Sequence, residues 1–426
     1  MTKMLTTLII SIVLVLALVA WAFAGTFTIL HNFTGSDGNS PINTTLTLTG
    51  GKLYGMTGLG GASSSGTIFS VDTDGSNYTV LYSLLGGNDS GSIPYGDLTL
   101  SGDVFYGMTF GGGASGGSGT IFEIGTDGSG FTLLHSFSST DPANGKWPYG
   151  SVTLSGDTLY GMSYAGGESS NGTVFSIVTD GTGFTLLRQF GADGPPPPEG
   201  ATPRGDLTLI GSTLYGMTKA GGNGNGVIFS VGTNGSSFTL LRTFVAGSGD
   251  GSQPYGDLVL SNGAFYGMTY AGGDTPVGTV FSMDTDGSNF TLLHDFSVSD
   301  GGWPRGNPTI VGDTIYGMTY QGSTNNKGNI FSVGTDGSGF TVLYEFAGGA
   351  DDGAEPRGTL TYNEANSTFY GMTFNGGTSE MGVVFSFSMG AGEVPEPSTL
   401  LILIPLLGGL YWMRKRSHIL HGYRRR

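Results

Sequence analysis

The chain has 426 residues, among them 80 glycines, 17 prolines and no cysteine, with a formal charge of −16 at pH 7. Charged residues make up 11% and aromatics 12%, the reverse of the balance that keeps a chain disordered, and zero cysteine excludes disulfide frameworks, thiolate metal sites and cysteine nucleophiles. Between positions 25 and 393, nine basic residues face 31 acidic ones, a charge of −22 that repels phosphate backbones and makes nucleic acid an unsuitable partner.

Residues 1–24 carry Lys3, an apolar run over 8–20, and Ala22-Phe23-Ala24. These are the three parts of a secretory signal, with small residues at the −3 and −1 positions, so cleavage is expected after Ala24. An uncleaved N-terminal membrane helix is the other reading of the same run.

From there the sequence repeats. Tyr-Gly-Met recurs at Tyr54, Tyr106, Tyr160, Tyr215, Tyr266, Tyr316 and Tyr370, at spacings of 50 to 55. A glycine two residues before an Ile/Val-Phe pair recurs at Gly66, Gly119, Gly172, Gly226, Gly278, Gly328 and Gly382. An aromatic-Thr-apolar-Leu run begins at Phe27, Tyr78, Phe131, Phe184, Phe238, Phe290 and Phe340. In the third copy four short apolar runs lie at 152–154, 159–164, 173–178 and 184–190, filled with β-branched and aromatic residues and bounded by turn residues. Thr179-Asp180-Gly181 supplies a tight hairpin between the last two. No sustained helical period occurs between 25 and 393.

Four antiparallel strands per repeat, seven times over, describe the blades of a propeller. The seventh copy stops before its fourth strand, and an unpaired copy of that strand stands at 26–33. Pairing the two completes the last blade and leaves no open sheet edge. The expected fold is therefore all-β: a seven-bladed β-propeller of four-stranded blades, closed by the N-terminal strand. A linear β-solenoid would also accommodate the repeats but gives no reason for the displaced strand.

Few residues carry chemistry. His31, His135 and His294 share one repeat position with Tyr82, Arg188, Arg242 and Tyr344. A position that accepts His, Tyr or Arg reads as a polar edge site rather than a ligand. Asp72-Thr73-Asp74-Gly75 and Asp284-Thr285-Asp286-Gly287 open like a calcium loop but lack its closing Glu, so they read first as hairpin turns, with calcium left as a candidate ligand. No cofactor is indicated. The loops between blades end in a Pro-x-Gly pattern whose middle residue is Tyr95, Tyr149, Arg204, Tyr255, Arg305 or Arg357. Entering the innermost strands, these would ring one mouth of the channel, exposed because an unpaired guanidinium is costly to bury. Phe110, Tyr164, Tyr270, Tyr320 and Phe374 reach the same face, either as part of the site or as packing between blades. Aromatic faces and guanidinium forks suit sugar rings and acidic polymers.

At the far end Val394, Pro395, Glu396 and Pro397 precede a 15-residue apolar run over 399–413 and the cluster Arg414-Lys415-Arg416. The run is short for a full span, and the basic cluster would stay cytoplasmic. This order resembles the PEP-CTERM sorting signal, which implies an exosortase-type processing partner and delivery to the cell surface or extracellular matrix. The repeat itself, with its Leu-Tyr-Gly-Met-Thr, Gly-Gly, Gly-Thr-Val-Phe and Phe-Thr-Leu-Leu pattern over 26–388, resembles the GloVer tandem repeat of anchored bacterial surface proteins. That resemblance implies a propeller and an anchored location, and no established catalysis.

The expected layout is a signal peptide over 1–24, the propeller over 25–388, a linker over 389–398, a membrane segment over 399–413 and a basic cytoplasmic tail over 414–426. The expected function is a non-enzymatic, exported, surface-anchored propeller that binds extracellular polysaccharide or another envelope component. The alternative is a secreted carbohydrate-active hydrolase or lyase with a site at the channel mouth.

Overall fold

A computed structural model describes residues 25–389, apart from 115–116, 142–143, 192–197 and 248. The expected signal peptide, sorting motif, membrane segment and basic tail lie outside the described residues. The rest forms seven antiparallel sheets arranged as a seven-bladed β-propeller. The third blade is representative: Thr153–Ser155, Thr158–Ser163, Thr173–Val178 and Thr185–Gln189 pair in that order from the innermost strand outward. A single α-helical turn, Gly87–Ser90, lies in a loop between blades, which strand patterning did not anticipate.

Closure follows the sequence expectation. Thr26–Asn32 pairs beside Val383–Ser388 as the outer strand of the seventh blade. Phe33, fully buried, packs with Leu46, Phe69 and Tyr370, joining the seventh blade to the first. Phe27 stacks on Tyr344 of the sixth blade at 4.5 Å.

The core is a set of slabs between neighbouring blades. In one of them Tyr160, Met162 and Phe190 of the third blade pack on Leu207, Leu214 and Phe229 of the fourth. The Tyr-Gly-Met marker thus places two large side chains in the slab, and each buried aromatic contributes about 1.5–3 kcal/mol. The central glycine has its own cause. Gly161 lies opposite Phe175 in the strand register, and a β-carbon there would come within 2.5 Å of the ring.

The seven His, Tyr and Arg positions are not polar edge sites. Each is a flat group laid on the aromatic of the next blade: His31 on Tyr78 at 3.5 Å, His135 on Phe184 at 3.9 Å, and Arg242 on Phe290 at 3.4 Å. Several also meet an acceptor in the loop that follows: His31 with Asp37, Arg188 with Glu199, and Arg242 with Asp250. Planarity plus a donor is the requirement, and His, Tyr and Arg all satisfy it.

The calcium-like turns use their carboxylates internally. Asp74 Oδ1 accepts from the Ser76 amide at 2.9 Å and hydroxyl at 2.6 Å, and Asp72 Oδ2 accepts from Asn77 Nδ2 at 2.7 Å.

Candidate functional site at the channel mouth

Each blade enters its innermost strand through a proline preceded by a residue in the left-handed region. These are Ser40, Ile93, Trp147, Thr202, Gln253, Trp303 and Glu355, with φ between 50° and 59°. That conformation is strained, on the order of 1–3 kcal/mol each, most clearly for β-branched Ile93 and Thr202. It lets each of the seven amides donate to a carbonyl of the preceding blade at 2.5–2.9 Å, as Trp147 does to Ser118. The following proline ring sits on that blade's repeat glycine: a β-carbon on Gly172 would come within 2.6 Å of Pro203 Cδ. Strain that recurs seven times is a positioning device, and it sets the next side chain on the mouth.

Just inside the mouth runs a closed belt. The Thr45 amide donates to Asp97 Oδ1 at 2.5 Å, Asp97 to Ser151 Oγ at 2.5 Å, Ser151 to Asp206 and Asp206 to Asp257. Asp257 donates to Asn307 Oδ1 at 2.6 Å, Asn307 to Thr359 Oγ1 at 2.7 Å, and Thr359 back to Thr45 Oγ1 at 3.3 Å. Each link therefore ties one blade to the next around the whole ring. The cavity these residues share is only about 30 Å³, roughly one water molecule. Desolvation in so narrow a channel pushes the Asp97 carboxyl up to about 7, with the nearby Asp206 charge adding to it. The same burial raises Asp206, and raises Asp257 well above the usual carboxylate range.

Above the belt lie the residues expected from the Pro-x-Gly pattern, all brought together with the second set. Tyr95 and Tyr149 stack at 4.7 Å, and Phe110 sets its edge against them at 5.3 and 5.1 Å. Tyr164 leans on Tyr149 at 5.1 Å and Tyr270 on Tyr255 at 4.6 Å. Arg204 lies over Tyr149 at 4.6 Å and Tyr255 at 4.3 Å. Arg305 lies over Tyr320 at 4.1 Å, and Arg357 over Phe374 at 3.3 Å.

The expectation of open exposure is corrected here. All six mouth residues are half-buried, because tyrosine and guanidinium planes stack on one another around the rim. That mutual stacking also explains why Tyr and Arg exchange at this position. Tyr95 shows the convergence: burial pushes its phenol up, while Arg357, Arg204 and Arg305 all pull it back.

Sequence reasoning missed two features. Asn43 takes the first blade's place on the cavity wall. The belt was visible only as the residue after each Pro-x-Gly, where Asp97, Ser151, Asp206, Asp257, Asn307 and Thr359 share nothing but a side-chain oxygen acceptor. Lys219 stands where other blades carry an aromatic, 5.6 Å from the Tyr255 ring centre. His31, His135 and His294 stay in their stacks between blades. Among the described residues no group of three or more His, Asp or Glu side chains is arranged to hold a metal ion.

With seven copies of one strand pattern closed on themselves, sequence comparison settles the family: the Gloeobacter/Verrucomicrobia repeat matches residues 20–225 and 214–400. The chain belongs to the Gloeobacter/Verrucomicrobia repeat family. No curated protein shares significant similarity with this repeat protein. Among solved structures it is similar to an oligogalacturonate lyase in complex with manganese, at a TM-score of 0.52 and 10% identity, over 86% of this chain and 96% of that one. It is also similar to a chain of a nidogen/laminin complex (TM-score 0.42, 14% identity, 65% of this chain and 89% of that one). TolB from Acinetobacter baumannii follows at a TM-score of 0.41 and 15% identity, over 66% of this chain and 64% of that one. At these identities the likeness is one of propeller fold, which catalytic and binding proteins share.

Proposed function

We propose that this repeat protein is a non-catalytic binding propeller, exported and held at the cell surface, whose channel mouth takes up extracellular polysaccharide or another envelope glycan. The observation that carries the reading is the rim itself. Aromatic and guanidinium planes share the rim of one opening, held by seven equivalent strained turns and a continuous hydrogen-bonded belt. Such planes accept sugar faces through apolar C–H contacts with the flat rings. Several weak contacts repeated around one rim suit a polymer with repeating units better than a single small substrate.

Export and anchoring rest on the signal-like segment at 1–24 and the motif order at 394–416. An exosortase-type enzyme would process the latter. The alternative, a carbohydrate-active hydrolase or lyase, draws on the fold shared with the oligogalacturonate lyase.

The test is binding of the full-length protein, purified in detergent, to a panel of bacterial extracellular polysaccharides. Wild type is compared with a variant carrying Tyr95, Tyr149, Arg204, Tyr255, Arg305 and Arg357 all as Ala. Loss of binding by a variant that keeps its β-sheet circular dichroism supports the reading. Unchanged binding overturns it, and product release from any glycan would replace it with the catalytic alternative.

A further inference from the structure

The nine basic residues of the propeller divide into two groups. Lys52, Arg188, Arg242 and Lys327 each pair with a carboxylate, to Asp72, Glu199, Asp250 and Glu355 respectively, and Lys146 lies over Trp147 at 4.9 Å. The other four, Arg204, Lys219, Arg305 and Arg357, all stand at the mouth. Among the described residues none of these four forms a salt bridge, and Glu355, already paired with Lys327, is the one carboxylate whose charge acts on Arg357.

A body of charge −22 could readily have supplied acids there, so the gathering of unpaired cations is the reverse of the surrounding composition. The guanidinium Nε of each of the three arginines is buried without a hydrogen-bond partner, as it is in Arg242, but Arg188 and Arg242 each form a salt bridge and the mouth arginines do not. Polar hydrogens in that situation cost free energy until an acceptor arrives. The cations also act on one another. Arg357 is held below its ordinary value by burial and then by Arg305, and Lys219 by burial and then by Arg204.

Resting on the glycan-binding reading above, we infer that the ligand is an acidic saccharide whose pendant carboxylates are received by Arg204, Arg305 and Arg357. The chemistry of the site selects this class. A guanidinium offers a planar fork that matches a carboxylate with two parallel hydrogen bonds, and the tyrosine faces beside it accept the sugar ring. The size of the opening sets the pose. A cavity of about 30 Å³ cannot enclose a sugar ring, so the polymer lies across the rim and only its acid groups point inward. The narrowness of the belt sets the depth, since an opening of about 30 Å³ admits little more than a water molecule past the arginines. Cations at the mouth of an otherwise acidic body also focus the field on that opening, so association slows as salt rises.

The experiment compares binding of the full-length protein to polygalacturonate, to a neutral galactan and to dextran sulfate, at low and at high salt. The expected result is binding of polygalacturonate alone, weakened by salt. Replacing Arg204, Arg305 and Arg357 with Gln is expected to weaken it by at least about tenfold, as charge-assisted hydrogen bonds are lost. Should that variant fold poorly, competition on the wild type by free galacturonate, with free galactose as control, gives the same answer. Competition by galacturonate alone supports the inference. Equal binding of galactan overturns the acidic class while leaving the glycan-binding reading standing. Equal binding of dextran sulfate overturns the carboxylate fork in favour of charge alone. Binding of no glycan, in this set or in the wider panel, overturns the reading of function and the inference with it.

Discussion

Gly161 faces Phe175 directly across the second and third strands of its blade, and the Phe175 ring occupies the space a β-carbon on Gly161 would need. The same pair recurs in every blade, with the approach between 2.4 and 2.8 Å. Two markers that look independent in the sequence are thus one contact. Gly161→Ala is expected to force Phe175 out of its rotamer at a cost of about 1–3 kcal/mol. Thermal unfolding checks this: the melting temperature falls by a few degrees and recovers in part when Phe175→Leu is added. An unshifted melting curve for Gly161→Ala would remove the contact from the account.

Deleting 26–33 removes the outer strand of the seventh blade and the Phe33 anchor between the seventh and first blades. It also leaves Val383–Ser388 as an unpaired edge. The expected outcome is a large loss of thermal stability together with self-association. A monomer of unchanged melting temperature would mean that the ring does not depend on this strand.

The belt carboxylates give a signed pH dependence. Asp97, Asp206 and Asp257 bind their protons more tightly folded than unfolded. Their contribution is therefore fully present below the unfolded value near 3.8 and is lost as pH rises toward about 7 and beyond. Asp257→Asn keeps an oxygen acceptor for the Asp206 amide and removes the charge, while setting an amide against Asn307 Nδ2, which donates to the other Asp257 oxygen. That loss is the same at every pH, so the melting temperature of the variant relative to wild type is expected to be higher at pH 8 than at pH 4 by a few degrees. His31, His135 and His294, lowered by burial, act in the opposite direction on the acid side. The comparison is accordingly variant against wild type at each pH. A difference from wild type that is the same at pH 4 and pH 8 would contradict the burial argument.

Replacing Arg242 with Ala removes the guanidinium from the Phe290 face and leaves Asp250 without its ion partner. A loss of about 1–3 kcal/mol is expected. Arg242→His, which restores a flat donor, should recover part of it. Equal destabilisation by the two substitutions would show that charge, not planarity, is what the position requires.

Ending the chain at residue 393 removes the sorting motif and everything after it. The expected outcome is soluble protein in the medium, read by fractionation of the producing cells. Recovery of the truncated form with membranes would assign the anchor to another part of the chain.

Blade number, strand order within a blade and the closing strand were all legible in the sequence. Each is a consequence of local pattern: period-two apolar runs, Asp-Gly turns, and a marker count that leaves one strand over at the start. The rim residues were legible too, since Pro-x-Gly repeats at a fixed place before the first strand. What those residues touch was not. Tyr149 meets Arg204, and Thr45 meets Asp97, across blades about 50 residues apart, and periodicity reports the face of a strand without naming the neighbour that face meets. The belt was hidden because its members share only an oxygen acceptor, which Asp, Ser, Asn and Thr supply equally. The protonation of its aspartates follows from how little water a closed channel admits, a property of the assembled ring and of no single segment.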